Sequence, residues 1–246
     1  KAVVFNLVPA GAEPHDFEPS PQDIATLTES NLFIYNGAGF ETWISKVQND
    51  LDTNNVLSIN SSQDIQLIQT DSDQNSLDPH IWLDPVLAQD QVSNIKNALV
   101  KVDPQNQEFY ENNANLYIDQ LKNLDSEFQQ TLSSCEKNTI VASHNAFTYL
   151  AKRYNFSVIS ISGLSPDEEP SAQKLAEISQ YARSNQIQYI FFESLVSPKL
   201  SDTIAQEVNA KTLVFNPIEG LTPEELSEGK NYIQIQKENL QNLKTA

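Results

Sequence analysis

The chain has 246 residues, 39% of them hydrophobic, with 15 basic against 33 acidic side chains and a formal net charge of −18. That length can bury a real core in one large domain or two ordinary ones, and no apolar run approaches the ~18 residues that would suggest a membrane span. So acidic a surface repels nucleic acid; its acidity reads first as a solubility feature and second as attraction for a cation, while the single cysteine, Cys135, excludes an intramolecular disulfide.

In chain order, Ala2 to Val8 is a short apolar run closed by Pro9 and reads as a buried strand. A loop rich in Pro, Gly and acids follows, from Ala10 to Pro19. Ser20 is a good N-cap, with Pro21 at the first helical position and Asp23 in the first turn, so a helix is predicted there. Asn31 to Tyr35, closed by Asn36-Gly37, reads as a second strand, and Gly39 to Leu51 as a helix with Phe40, Ile44 and Val47 on one face. Leu57 to Ile68 is weakly patterned and Asp71 to Ser76 is a polar loop.

From Asp84 the pattern turns helical, with Val92, Ile95, Leu99 and Val102 at helical spacing, and Asp103-Pro104 ends that helix and starts another. The segment Gln105 to Ser134 contains no Gly or Pro, and its apolar positions Leu116, Ile118, Leu121, Leu124, Phe128 and Leu132 trace a stripe. One helix of that length spans about 45 Å.

After it, strands and helices alternate. Strands are predicted at Thr139 to Ser143, Ser157 to Ser162, Ile187 to Phe192 and Thr212 to Phe215. Helices are predicted at Ala146 to Tyr154, Ser171 to Ser184, Pro198 to Val208 and Asn231 to Leu243. Alternation of this kind argues an α/β fold with parallel sheets. The expected architecture is two α/β lobes joined by one long rigid helix: a first lobe over residues 1–103, a linking helix over 104–134 and a second lobe over 135–246.

There are only three histidines. His15 lies after the first apolar run, His80 in the Pro-bounded segment Leu77 to Pro85, and His144 directly after the strand ending at Ser143. Glu193 and Glu219 also follow predicted strands. Ligands of open parallel sheets bind outside the carboxyl ends of strands, so two facing lobes would gather these residues at the cleft between them. Each alone reads more readily as an ordinary polar residue than as a ligand. A histidine after a strand is often a satisfied cap, Glu193 is placed to favour the N-terminus of the next helix, and Glu219 is also readable as a plain loop acid. Together they make a candidate three-histidine, one-glutamate site. Imidazole nitrogen and carboxylate oxygen suit zinc, and four protein ligands suit holding an ion better than using it.

At Leu7 to Pro19 (LVPAGAEPHDFEP), Asp78 to Pro85 (DPHIWLDP), Ser143 to Phe147 (SHNAF), Gly163 to Ser171 (GLSPDEEPS) and Asn216 to Leu221 (NPIEGL), the chain resembles the zinc/manganese-binding solute-binding proteins of ABC transporters. The resemblance covers essentially the whole chain. It implies two α/β lobes with a metal in the cleft between them, held by His15, His80, His144 and Glu219. It implies that Glu193, Asp84 and Asn145 surround those ligands, with Glu193 orienting an imidazole. It further implies an extracytoplasmic monomer, not an enzyme, that hands its ion to an ABC permease, with any secretion signal or lipid anchor outside these residues. The family normally begins with one more strand and helix, so the chain is expected to open inside its first lobe. Zinc-type members often carry a His-rich loop before the second ligand, whereas Ser61 to Ser76 has acids and no histidine.

Three other functions compete. Manganese or iron on the same fold is disfavoured by His144, where manganese members usually place a harder carboxylate. A metallohydrolase with Glu193 as base lacks an HExxH helix or comparable signature. Nothing in the sequence points to an adhesin. With no Gly or Pro to bend the long helix, metal exchange is expected to be gated by the loops Asp71 to Pro79 and Gly163 to Pro170.

Overall fold

The computed structural model describes residues 2–70 and 76–246. The chain divides into two compact units, residues 1–123 and 124–246. The boundary falls inside a single helix, so the predicted linking segment contributes to both units.

The first unit holds α1 (Pro21–Thr28), β1 (Leu32–Tyr35), α2 (Ile44–Thr53), β2 (Leu57–Asn60) and α3 (Pro85–Val102). Ser20 and Asp23 form a capping box around Pro21 at the start of α1, an arrangement that stabilises a helix end by about 1 kcal/mol. The carboxylate of Asp84 caps α3 through Val86 N in the same way, with Pro85 at its first position. Strands β1 and β2 pair in parallel from Leu32↔Leu57 to Tyr35↔Asn60. Leu27, Phe33, Trp43, Val47, Leu51 and Val56 make the core behind them, with Leu7 and Phe17 packed against it.

Two expectations fail here. Ala2 to Val8 is not a strand: the backbone has no regular structure and Val3 is 99% exposed. The apolar run has strand composition, but none of the described strands pairs with it, and an extended segment without a ladder has nothing to hold it. The helix predicted from Gly39 begins only at Ile44, because Gly37, Ala38 and Gly39 all take positive φ and form a tight turn instead. Strand β2, inside the weakly patterned segment, was not foreseen. Of the proposed gating loop Asp71 to Pro79, Asp71 to Asn75 lie outside the described residues.

The helix α4 runs from Gln107 to Leu132, about 39 Å at 1.5 Å per residue. Its apolar stripe is uneven. Leu121, Leu124 and Phe128 are wholly buried, whereas Leu116, counted in the predicted stripe, is 65% exposed. Phe128 stacks on Tyr154, with ring centroids 5.0 Å apart.

The second unit contains a four-stranded parallel sheet built from β3 (Thr139–Ala142), β4 (Ser157–Ser160), β5 (Tyr189–Phe192) and β6 (Lys211–Val214), in the order β4-β3-β5-β6. The connections are α5 (Thr148–Tyr154), α6 (Ala172–Ser184) and α7 (Lys199–Val208), and a short α8 (Pro223–Ser227) precedes the closing α9 (Tyr232–Thr245). Val141, Ile161, Ile178, Ile190, Ile204 and Ala205 form one of its buried clusters. The strand order reverses between β3 and β5. Chain leaving β3 and chain leaving β5 therefore diverge, opening a crevice at their carboxyl ends.

Candidate metal centre

The first unit supplies two imidazoles. His15 sits in a one-turn 3-10 helix, Pro14–Asp16, whose entry is fixed by the Glu13 side chain accepting from His15 N. His80 is completely buried. Its Nδ1 is 2.8 Å from Asp78 Oδ1, which also accepts from His80 N at 3.0 Å. A proton held on Nδ1 by that carboxylate leaves the lone pair on Nε2. His80 Nε2 faces His15 Nε2 at 3.3 Å, a separation at which two ligand atoms of one ion belong.

Aromatic rings and backbone bonds hold this pair. Phe40 lies edge-on to His15, centroids 4.7 Å apart, and Trp82 lies 5.2 Å from Phe40 and 5.3 Å from His80. The amide of Asn36, at the carboxyl end of β1, donates to Pro79 O at 2.9 Å. Glu41 accepts from the backbone N–H groups of Asn36 and Gly37, and burial raises its pKa against the opposing pull of those bonds.

The second unit supplies an imidazole between two carboxylates, at the crevice where its strand order reverses. His144 is the second residue beyond β3, and its backbone is bracketed by pairing that runs on past the strand: Ser162 N to Ser143 O at 2.8 Å and Asn145 N to Gly163 O at 2.7 Å. Glu193 immediately follows β5. Its Oε1 lies 2.5 Å from His144 Nδ1 and also accepts from Ser143 Oγ. On the other side of the ring, His144 Nε2 is 3.2 Å from Glu219 Oε1, with both side chains fully buried. Burial disfavours a charged imidazole, but the charges and hydrogen bonds of Glu193 and Glu219 outweigh it and raise the His144 pKa to about 10.

Of the residues expected around the ligands, Glu193 contacts His144 directly. Asp84 caps α3, and the Asn145 side chain accepts from Thr148 Oγ1 at 3.3 Å. The carboxylate on His80 is Asp78, which the sequence reading passed over. Its signal was its position two residues before His80, where a carboxylate can bond the following backbone N–H in a short turn.

Parallel-sheet α/β units that present imidazole and carboxylate donors, with the outer ring nitrogens of His80 and His144 held by Asp78 and Glu193, have the donor sets of a metal-binding protein. The whole chain, residues 1–246, matches the family model described as zinc-uptake complex component A, periplasmic (ZnuA). The chain belongs to this family. It is 41% identical over 256 residues to the high-affinity zinc uptake system protein ZnuA of Bacillus subtilis, across 99% of this chain and 80% of that protein. It is 39% identical to the zinc-binding lipoprotein AdcA of Streptococcus pneumoniae, spanning 97% of this chain but only 50% of AdcA. The Zn(II)-bound ZnuA-like domain of that AdcA superposes with a TM-score of 0.85 at 40% identity, covering 97% of this chain and 88% of the domain. Among the described residues no helix is long and apolar enough to cross a membrane.

Proposed function

We propose that this chain captures one zinc(II) ion with high affinity outside the cytoplasm, through His15, His80, His144 and Glu219 together, and hands it to an ABC-type importer. The observation that carries the reading is that each unit presents an incomplete pair of donors. His15 with His80 offers two nitrogens 3.3 Å apart, and His144 with Glu219 offers a nitrogen and an oxygen 3.2 Å apart. A tetrahedral zinc needs four such ligands, and neither pair alone supplies them. The relatives 41% and 39% identical to this chain carry zinc in their names.

A shell closed by four protein groups leaves no position for a reacting water, so the ion is cargo and the protein is not an enzyme. The same argument separates zinc from manganese. A site with three imidazoles is soft for manganese, which favours carboxylate and water oxygens. The protein works as a monomer with its permease.

Metal analysis of protein purified without chelator tests the proposal: one zinc per chain is expected. Two tightly held zinc ions, or a metal that stays bound when His144 and His80 are both replaced by Ala, would overturn it.

A further inference from the structure

Glu219 is aimed by a strained piece of backbone. Ile218, the residue before it, has φ 56, a left-handed conformation that a β-branched side chain strongly resists. Something must hold it there, and the surrounding hydrogen bonds show what does.

Asn216 is 3% exposed and Asn239, on α9, is 1% exposed. Asn239 takes both backbone groups of Asn216. Its Oδ1 accepts from Asn216 N at 2.8 Å and its Nδ2 donates to Asn216 O at 2.7 Å, as a neighbouring strand would. The side chain of Asn216 is used as fully. Its Oδ1 accepts from Ile218 N at 2.8 Å, and its Nδ2 donates to Ser194 Oγ at 2.9 Å and to Glu225 Oε1 at 3.3 Å. Pro217 restricts Asn216 to extended backbone, so the chain reverses at Ile218. Ser194 follows Glu193. Asn216 thus ties the segment bearing Glu219 to the segment bearing Glu193, the two carboxylates that flank His144.

We propose that Asn216 and Asn239 are positioning residues: together they clamp Ile218 in its left-handed conformation and so hold the Glu219 carboxylate against His144 Nε2. Neither is one of the proposed ligands. The inference rests on the zinc reading above, and adds that affinity depends on a buried amide pair beyond the ligands. Strain of this kind persists only where the surroundings over-determine it. If the clamp is lost, Ile218 relaxes to negative φ and Glu219 swings away.

The test compares zinc affinity, by chelator competition, and the zinc-free melting temperature in the full chain and three variants. Asn239→Ala should weaken zinc by ~10–100-fold, the usual cost of losing a partner behind a ligand. Adding Ile218→Gly to it should recover at least half of that loss on a logarithmic scale, because glycine accepts positive φ without a clamp. Ile218→Gly alone should leave the zinc-free melting temperature unchanged or raised. Cobalt(II) in place of zinc reports the geometry: its visible bands should lose intensity in Asn239→Ala and regain it in the double variant.

If Asn239 were merely structural, melting temperature and affinity would fall together and Ile218→Gly would restore neither the affinity nor the cobalt spectrum. That result overturns the inference, as does wild-type affinity in Asn239→Ala. A lowered melting temperature in Ile218→Gly also overturns it, and this arm decides even when Asn239→Ala does not fold. A wild-type chain that binds no zinc overturns the zinc reading, and the positioning role falls with it. Wild-type zinc binding beside an unaffected Asn239→Ala overturns the clamp alone.

Discussion

The two units present donor pairs built to different electrostatic rules. In the first unit two imidazoles face each other among aromatic rings, with Asp78 behind His80 as the carboxylate in contact with its ring. In the second unit one imidazole lies between two buried carboxylates, Glu193 and Glu219. The first offers two nitrogens. The second sets two carboxylates against one imidazole, and their charges and hydrogen bonds raise the His144 pKa to about 10. The comparison teaches that, on the proposed zinc reading, the second unit is where binding should couple most directly to pH.

The largest effect expected from breaking this arrangement is at His144 itself. His144→Ala removes a ligand and leaves Glu193 and Glu219 buried side by side without a cation between them. Zinc affinity, measured by chelator competition, should fall by more than the ~100-fold upper range for an outer partner. A loss no larger than that of Glu193→Ala would mean that Glu193 is a ligand too.

Next come the two outer carboxylates. Asp78→Ala and Glu193→Ala should each weaken zinc by ~10–100-fold, since each frees an imidazole to rotate or change tautomer. Isothermal titration of both variants sharpens the contrast between the units. Equal affinity but a different proton count in Glu193→Ala would place the difference in the charge, not in the orientation of the ring.

The third expectation concerns that proton. With its pKa raised to about 10, His144 is charged in the zinc-free protein at neutral pH. Zinc must displace the proton. Titrations near pH 8, in buffers of differing ionisation heat, should show about one proton released per zinc. This group alone then makes affinity rise about tenfold per pH unit until about pH 10. The sign for stability is opposite. Because the folded pKa lies above the ordinary 6.5, the proton's contribution to the zinc-free fold is complete below that value and is lost as pH rises through about 10. On acidification protons compete with the ion for the proposed ligands, and zinc should leave steeply between roughly pH 4 and 6. Zinc retained at pH 3 would contradict an imidazole site.

The smallest effect is selectivity. His144→Glu makes the shell harder and should narrow the zinc-over-manganese ratio in direct competition without reversing it, because zinc keeps its place above manganese in intrinsic affinity. An unchanged ratio would show that His144 does not set the preference.

The amino-acid sequence by itself determined much of this protein, wherever the deciding interactions are local. Ser20-Pro21 with Asp23, Asp84-Pro85 and Ser171 start helices at the expected residues, because a cap bonds a backbone group only two or three residues away. The alternating second half became a parallel sheet, and the stretch without Gly or Pro became one helix of 26 residues. The four proposed ligands were legible because histidine is rare here and each falls in a loop or just past a strand. Tertiary structure decided the rest. Val3 to Phe5 have strand composition but no ladder partner among the described strands. The carboxylate at His80 Nδ1 is that of Asp78, placed there by how the loop turns in space. Glu193 reaches His144 only because β3 and β5 lie side by side although 46 residues separate Ala142 from Tyr189. No pattern in Asn216-Pro217-Ile218-Glu219 announces that an isoleucine there must turn left-handed. That depends on Asn239, 23 residues on, and a bond between residues so far apart in the chain exists only once the fold has brought them together.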